Sequence, residues 1–353
     1  MPLVSRGHLL PLLSFALVLL ASPALADGEK PADSRFRWAY ASVQVENDLF
    51  ANSANTDRHY TNGLQGSLLS APVALTGWLD EIATIRVPFG VEGTSPQTHR
   101  VGFALGHTIF TPDDTEVSAL VPNDRPYAAW LHMTLTLQTL WETSGTGTFQ
   151  DQWKFDVGVV GPAAGGRFVQ NNWHKLIGAD EANGWSNQLR NEPGLNVTFE
   201  RAWNTPDLAP ATLSGFEIDG IPYAVAALGN VQTYLGAGGI VRLGPDLPDD
   251  FGPTRIYPGV GGSEWFKPVD GFSWYVFAGV EGRVVGRDMF LDGNLFRDSH
   301  SVDKRYFVSD LRLGAVAIWN DYRLSFSHIY RTREYSGQPK PDQFGSFTLG
   351  VAF

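Results

Sequence analysis

The pattern that most limits this chain is a period-two alternation, repeated in strand-length segments, with no long uncharged apolar run after residue 20. Its clearest instance sets Leu131, Met133, Leu135, Leu137, Thr139 and Trp141 against His132, Thr134, Thr136 and Gln138. Successive side chains of a strand point to opposite faces, so such a segment has one apolar and one polar face. Val43 and Val45 set against Gln44, Glu46 and Asp48 repeat the pattern, as do Val101, Phe103 and Leu105, and then Trp153, Phe155, Val157 and Val159. Further segments near 195–203, 219–229, 231–243, 272–286, 303–319, 321–333 and 344–353 bring the expected strands to about twelve, each of roughly membrane-spanning length.

A soluble sandwich alternates as well, so other features choose between the two. Charged residues are 18%, aromatics 12%, and glycines number 38, a balance that suits a membrane barrel. Arg6, the apolar run Leu9–Leu20 and the Ala24-Leu-Ala26 site read as a secretory signal peptide over residues 1–26, with an exported chain over 27–353. Phe347, Leu349, Val351 and Phe353 form an apolar face ending on an aromatic. This resembles the C-terminal signal that the barrel-assembly machinery reads. The chain has no cysteine, which removes disulfides and thiolate metal sites, and its formal net charge of −11 argues against nucleic acid as a partner. The expectation is an all-β protein of the bacterial outer membrane: an antiparallel transmembrane β-barrel of about twelve strands, with a short helix in an extracellular loop.

With the N-terminus periplasmic, residues 49–59, 110–128, 162–194, 287–302 and 334–343 fall in outward connections. Two inward connections, 70–98 and 244–271, are longer than a simple barrel predicts, and Gly and Pro crowd the second. The helix is expected within 161–178, stopped by Gly178. At ~100° per residue, Phe168, Val169, Trp173, Leu176 and Ile177 share its apolar face, and Gln170 and His174 lie along the border. That face is expected to pack on the inner wall or rim of the barrel. Parity puts Asp48 with Gln44 and Glu46, and Thr61 with Gln65 and Ser67, on the non-lipid face.

Several ordered motifs give this pattern a family. Glu46-Asn47-Asp48-Leu-Phe50 with Thr56-Asp57-Arg58-His-Tyr60-Thr61-Asn62-Gly63, then Asn123-Asp-Arg125-Pro126-Tyr127-Ala-Ala-Trp130-Leu131, resemble two motifs of the lipid A 3'-O-deacylase family. Gly161-Pro162, Val169-Gln170-Asn171, His174-Lys175, Trp185-Ser-Asn187-Gln188-Leu189 and Asn191-Glu192-Pro193-Gly194 resemble its third, so the likeness is densest over residues 43–201. The resemblance implies a twelve-stranded outer-membrane barrel that removes the 3'-linked acyloxyacyl group from lipid A, the anchor of lipopolysaccharide in the outer leaflet. It also implies a Ca²⁺ requirement and an active site between barrel wall and helix. Carried over by residue, it makes His174 the catalytic histidine, with Asn47, Asp48, Thr61 and Gln170 beside it. The next acidic position of the family falls on Asp180, and Glu181 follows directly.

Ester hydrolysis needs a base to take a proton from water and a positive group to receive the oxyanion. A histidine titrates near working pH, which suits His174. Ca²⁺ prefers carboxylate, amide and carbonyl oxygens, so Asp48 and Asn47 with Asp180 or Glu181 would be its ligands. The competing reading is a non-enzymatic barrel, either a small porin or a structural protein whose helix plugs the lumen.

Overall fold

The computed structural model describes residues 36–51, 58–85, 95–142, 148–204, 211–213, 215–259 and 262–353. The signal peptide expected over 1–26 lies outside them. Thirteen strands form one antiparallel sheet: β1 (Trp38–Asn47), β2 (His59–Ser70), β3 (Ser95–Thr111), β4 (Ala128–Glu142), β5 (Thr148–Val160), β6 (Glu192–Asn204), β7 (Ala211–Leu213), β8 (Phe216–Gly229), β9 (Gln232–Gly244), β10 (Phe272–Asp288), β11 (Phe307–Trp319), β12 (Tyr322–Arg331) and β13 (Asp342–Ala352). The three-residue β7 only extends β8. The other twelve pair in chain order, and β1 pairs β13 and β6 pairs β8, so the wall closes on itself. Closure leaves none of these twelve as an open edge, which is what hydrocarbon requires of a sheet.

The alternation sorts the wall as the sequence demands. Met133, Leu105, Val157, Leu195, Leu235 and Val280 are exposed on the outside, the lipid side of such a barrel. Trp130, His132, Thr134 and Thr136 of β4 face inward with Gln65 and Asn196 around a polar cavity of about 30 Å³.

Much of the lumen is occupied by the chain itself. The connection after β9, for which the alternation gave no account, turns back into the barrel and buries Phe251, Ile256, Tyr257 and Phe266 there. Having no regular structure, it leaves its backbone groups to inward side chains of the wall. Gln44 donates to Thr254 O (3.1 Å), Gln152 to Gly262 O (2.7 Å), Arg312 to Pro253 O (2.9 Å) and Arg323 to Ser263 O (2.9 Å), and Glu46 accepts from Ile256 N (3.0 Å). Buried charges need partners, and Asp310 receives Arg283 (2.9 Å), Arg331 (3.0 Å) and Arg255 (3.2 Å). A lumen packed in this way is no water-filled pore.

The other long inward connection contains α1 (Trp78–Ala83). Its Ala83 packs with Val101 and Leu137 on the outer surface of the wall. The principal helix, α2 (Gly166–Ile177), lies in the outward connection between β5 and β6, and a single turn, α3 (Met289–Asp292), follows β10.

Candidate active site

Helix α2 forms where expected. Gly165 and Gly178 flank it in the left-handed conformation, and Gly178 N–H returns to His174 O at the C-cap. Its orientation is the reverse of the expected one. Gln170, Asn171 and His174 are buried, while Phe168 is 73% exposed, Leu176 51% and Val169 36%. The helix packs against β3 and β4, and around it Ala164, Ala182 and Trp185 cluster with Ile109, Ala129, Leu131 and Val159. Ala129 and Leu131 share the parity of exposed Met133, so this is the exterior of the wall. An apolar helix face can seek a protein core or hydrocarbon, and here it is left exposed on the outside of the wall. The polar border of the helix becomes the face pressed on the protein.

Three contacts hold it there. His107, on the outer face of β3, donates from Nε2 to Ala164 O (2.9 Å). Asn171 bridges to Ala182 in both directions, donating to its carbonyl (3.3 Å) and accepting from its N–H (3.2 Å). Trp185 donates from Nε1 to Gln170 Oε1 (2.9 Å). An indole N–H can only donate, so this bond fixes the amide and makes the NH₂ end of Gln170 its donor end.

The same logic sets the state of His174. Its Nδ1 bonds to the main-chain oxygen of Asp180. A carbonyl only accepts, so Nδ1 carries a proton, and in the neutral form of the ring Nε2 is the nitrogen with the lone pair. Asp180 therefore acts on the histidine through its backbone, and its side chain is exposed. Glu181 is exposed and pairs with Lys175 at 3.1 Å.

The first hairpin also departs from simple parity. β1 ends at Asn47, and a 3-10 turn over Asp48–Phe50 breaks the alternation before Asp48. Asn47 opposes Asn62, one step from inward Glu46, and so belongs to the outer face. Its Oδ1 caps Leu49 N (2.8 Å) and its Nδ2 donates to Thr61 O (2.9 Å). Asp48 is buried, and its Oδ2 accepts from Arg58 N (3.0 Å). In β2 the register shifts between Tyr60 and Asn62, a bulge that leaves Thr61 unpaired in the ladder. Tyr60 points inward to Glu46 (2.7 Å), whereas the Thr61 hydroxyl meets that of Thr111 at 2.8 Å. Thr111 continues the outer face of His107 and Ile109. The placement of Thr61 on the inner face is thus corrected by the bulge, and the turn takes Asp48 out of the alternation that had placed it there.

The two groups of residues meet the same stretch of wall. Thr111 holds Thr61, and Ile109, two residues earlier and so roughly 7 Å along the strand, packs in the cluster of Trp185, which holds Gln170. Thr111, His107 and Trp185 were not among the expected site residues. Their signal was present in part: His107, Ile109 and Thr111 share one parity, and Trp185 lies in a recognised motif.

Calcium makes a definite demand on these residues. The ion takes about six to eight oxygen donors, with carboxylates prominent. Of the three expected carboxylates only Asp48 is buried, Asp180 and Glu181 are exposed, and no three His, Asp or Glu side chains gather as a metal cluster among the described residues. Asn47 Oδ1 and Gln170 Oε1 already accept protein hydrogen bonds. These side chains as placed do not form a calcium site among the described residues.

Comparison with known proteins bears on the whole chain. A family model described as outer membrane protein LpxR matches residues 13–353. Among solved structures, LpxR from Salmonella typhimurium aligns with a TM-score of 0.67 at 23% identity, covering 89% of this chain and 100% of that one. The translocator domain of the autotransporter NalP from Neisseria meningitidis aligns with a TM-score of 0.39 at 12% identity, covering 91% and 89% respectively. A search of curated proteins found no match.

Proposed function

The chain belongs to the outer membrane protein LpxR family, and from that premise we propose that it is a hydrolase that removes the 3'-linked acyloxyacyl chain from lipid A in the outer leaflet. The observation that carries the reading is the inverted helix. Phe168, Val169 and Leu176 are exposed on the outside of the barrel while Gln170 and His174 are buried on the side of the helix toward the wall. Polar groups held on the outside of a barrel lie where lipid can reach them sideways. A site for a soluble substrate would have no use for an apolar helix face turned to hydrocarbon.

The chemistry follows from the tautomer. His174 Nε2 takes a proton from water as the water oxygen adds to the ester carbonyl carbon. The amide NH₂ of Gln170 is the neutral donor for the resulting oxyanion. Collapse breaks the bond to the sugar oxygen, the imidazolium returns its proton to that oxygen, and the fatty acid leaves. Asn47 and Thr61 brace the hairpin, Nδ2 to carbonyl, and Asp48 ties the turn to the start of the second strand by accepting from Arg58 N. Lipopolysaccharide is the partner in this reading, and the barrel-assembly machinery is the partner in biogenesis.

Mass spectrometry of lipid A exposed to the purified barrel tests the proposal. Loss of the 3' acyloxyacyl mass with wild type, and not with His174→Ala, is expected. Unchanged lipid A with an intact, folded wild-type barrel would sink it.

A further inference from the structure

Beside the catalytic helix, on the outward side of the molecule, is an open groove of about 520 Å³. That is within the roughly 300–1,000 Å³ of small-ligand sites. Arg167, Trp185, Ser186, Asn187, Arg190 and His300 are among the residues that line it, and none of its lining residues is acidic. On a chain with 37 acidic and 26 basic residues, a groove with two arginines and no carboxylate stands apart from the average surface.

The arginines are available. Arg167 is exposed in the first turn of α2, and its side chain has no hydrogen bond or ion pair among the described residues. Arg190 spends Nε on Asp298 O (3.3 Å), and its backbone N–H is held by Asn294 (2.9 Å), which anchors the residue while leaving the ends of its fork. His300 is a fixed wall, since its Nε2 donates to Asp124 O at 2.7 Å. Trp185 belongs to both places, lining the groove while its Nε1 holds Gln170.

We infer that this groove is an anion subsite for the substrate headgroup, taking a phosphate monoester or a sugar carboxylate through Arg167 and Arg190. The inference rests on the deacylase reading above and names the part of the substrate that reading leaves unplaced. A lipid with several acyl chains offers chemically similar esters. Clamping its anionic saccharide at a fixed distance from His174 decides which ester reaches the base, as remote binding energy does in other enzymes.

The test compares kcat/KM on three substrates in detergent micelles: bisphosphorylated lipid A, dephosphorylated lipid A, and dephosphorylated lipid A bearing an acidic inner-core sugar. Wild type is expected to prefer the anionic forms, and Arg167→Ala and Arg190→Ala each to lower that preference about fivefold, the worth of a partly exposed ion pair of about 1 kcal/mol. The form whose advantage disappears identifies phosphate or carboxylate as the ligand. Equal losses on all three substrates, or no loss, overturn the inference. Titration calorimetry of the same micelles into His174→Ala, with and without the arginine substitutions, reads binding without turnover. It separates a failed subsite from a failed deacylase: charge-dependent binding that persists when wild type turns nothing over would indict the reaction and spare the groove.

Discussion

His174 gives its Nδ1 hydrogen bond to the main-chain carbonyl of Asp180, so the residue after the helix orients the histidine with its backbone. A carbonyl keeps the proton on Nδ1 as a carboxylate would, without adding a charge. His174→Ala should lower 3' acyl release by about 10²-fold or more, the scale of a lost general base. Asp180→Ala retains the carbonyl and should stay within a few-fold of wild type, as should Glu181→Ala. A large loss in Asp180→Ala would show that its carboxylate acts directly, and initial rates of fatty-acid release decide this.

His59 is held at φ 59° directly before the bulge at Thr61. A β-carbon in that region is strained, and the ring is tied by Nδ1 to Asp342 (2.5 Å) and packed edge-on against Tyr335 at 5.7 Å between centroids. His59→Ala keeps the strain and loses the tie, so it should destabilise the outer rim by about 1–3 kcal/mol and move Thr61 away from Thr111. His59→Gly removes the strain as well and should recover part of the loss. Thermal unfolding of the heat-modifiable band on gels reads the stability, and acyl release reads the bulge.

Acid should spare the Glu334 contacts of the outer rim until below the ordinary glutamate range. Burial works to raise the Glu334 carboxyl, but Arg331, Arg125 and Arg283 outweigh it and hold the group below its usual value. A depressed folded value means stabilisation that is full above the unfolded value and lost as pH falls through the folded one. Arg125 lies 3.2 Å from this carboxylate and Arg331 3.5 Å. Amide hydrogen exchange of the outer loops, corrected for the intrinsic rate at each pH, should accelerate only after exposed glutamates are protonated. In Glu334→Gln exchange should already be faster at neutral pH, because buried Arg125 loses its anion and Arg331 keeps only Asp310.

The filled lumen makes a prediction about transport. Purified barrel in planar bilayers should show no steady conductance, because the 245–271 connection occupies the interior through bonds to β1, β5, β11 and β12. Removing residues 251–263 should create one if the barrel still assembles. Porin-like steps from the intact chain would contradict the packing described.

The sequence by itself determined the wall. Alternation at Leu131–Trp141 and its repeats required strands with one lipid face, and the observed strands fall close to the expected segments. It also determined the helix and its ends, because Gly178 is a local stop that needs no tertiary partner. The ordered motifs carried the family, which the match over residues 13–353 bears out. What only the tertiary structure decided is the side of the wall on which the site lies. Parity is a local count, and one bulge at Thr61 or one 3-10 turn at Asp48 resets it. Amphipathicity is likewise silent about the medium: Phe168 and Leu176 would suit a protein core as well as they suit acyl chains. The long-range contacts of His107 with Ala164 and of Ile109 with Trp185 chose the exterior, and with it turned Gln170 and His174 toward the wall.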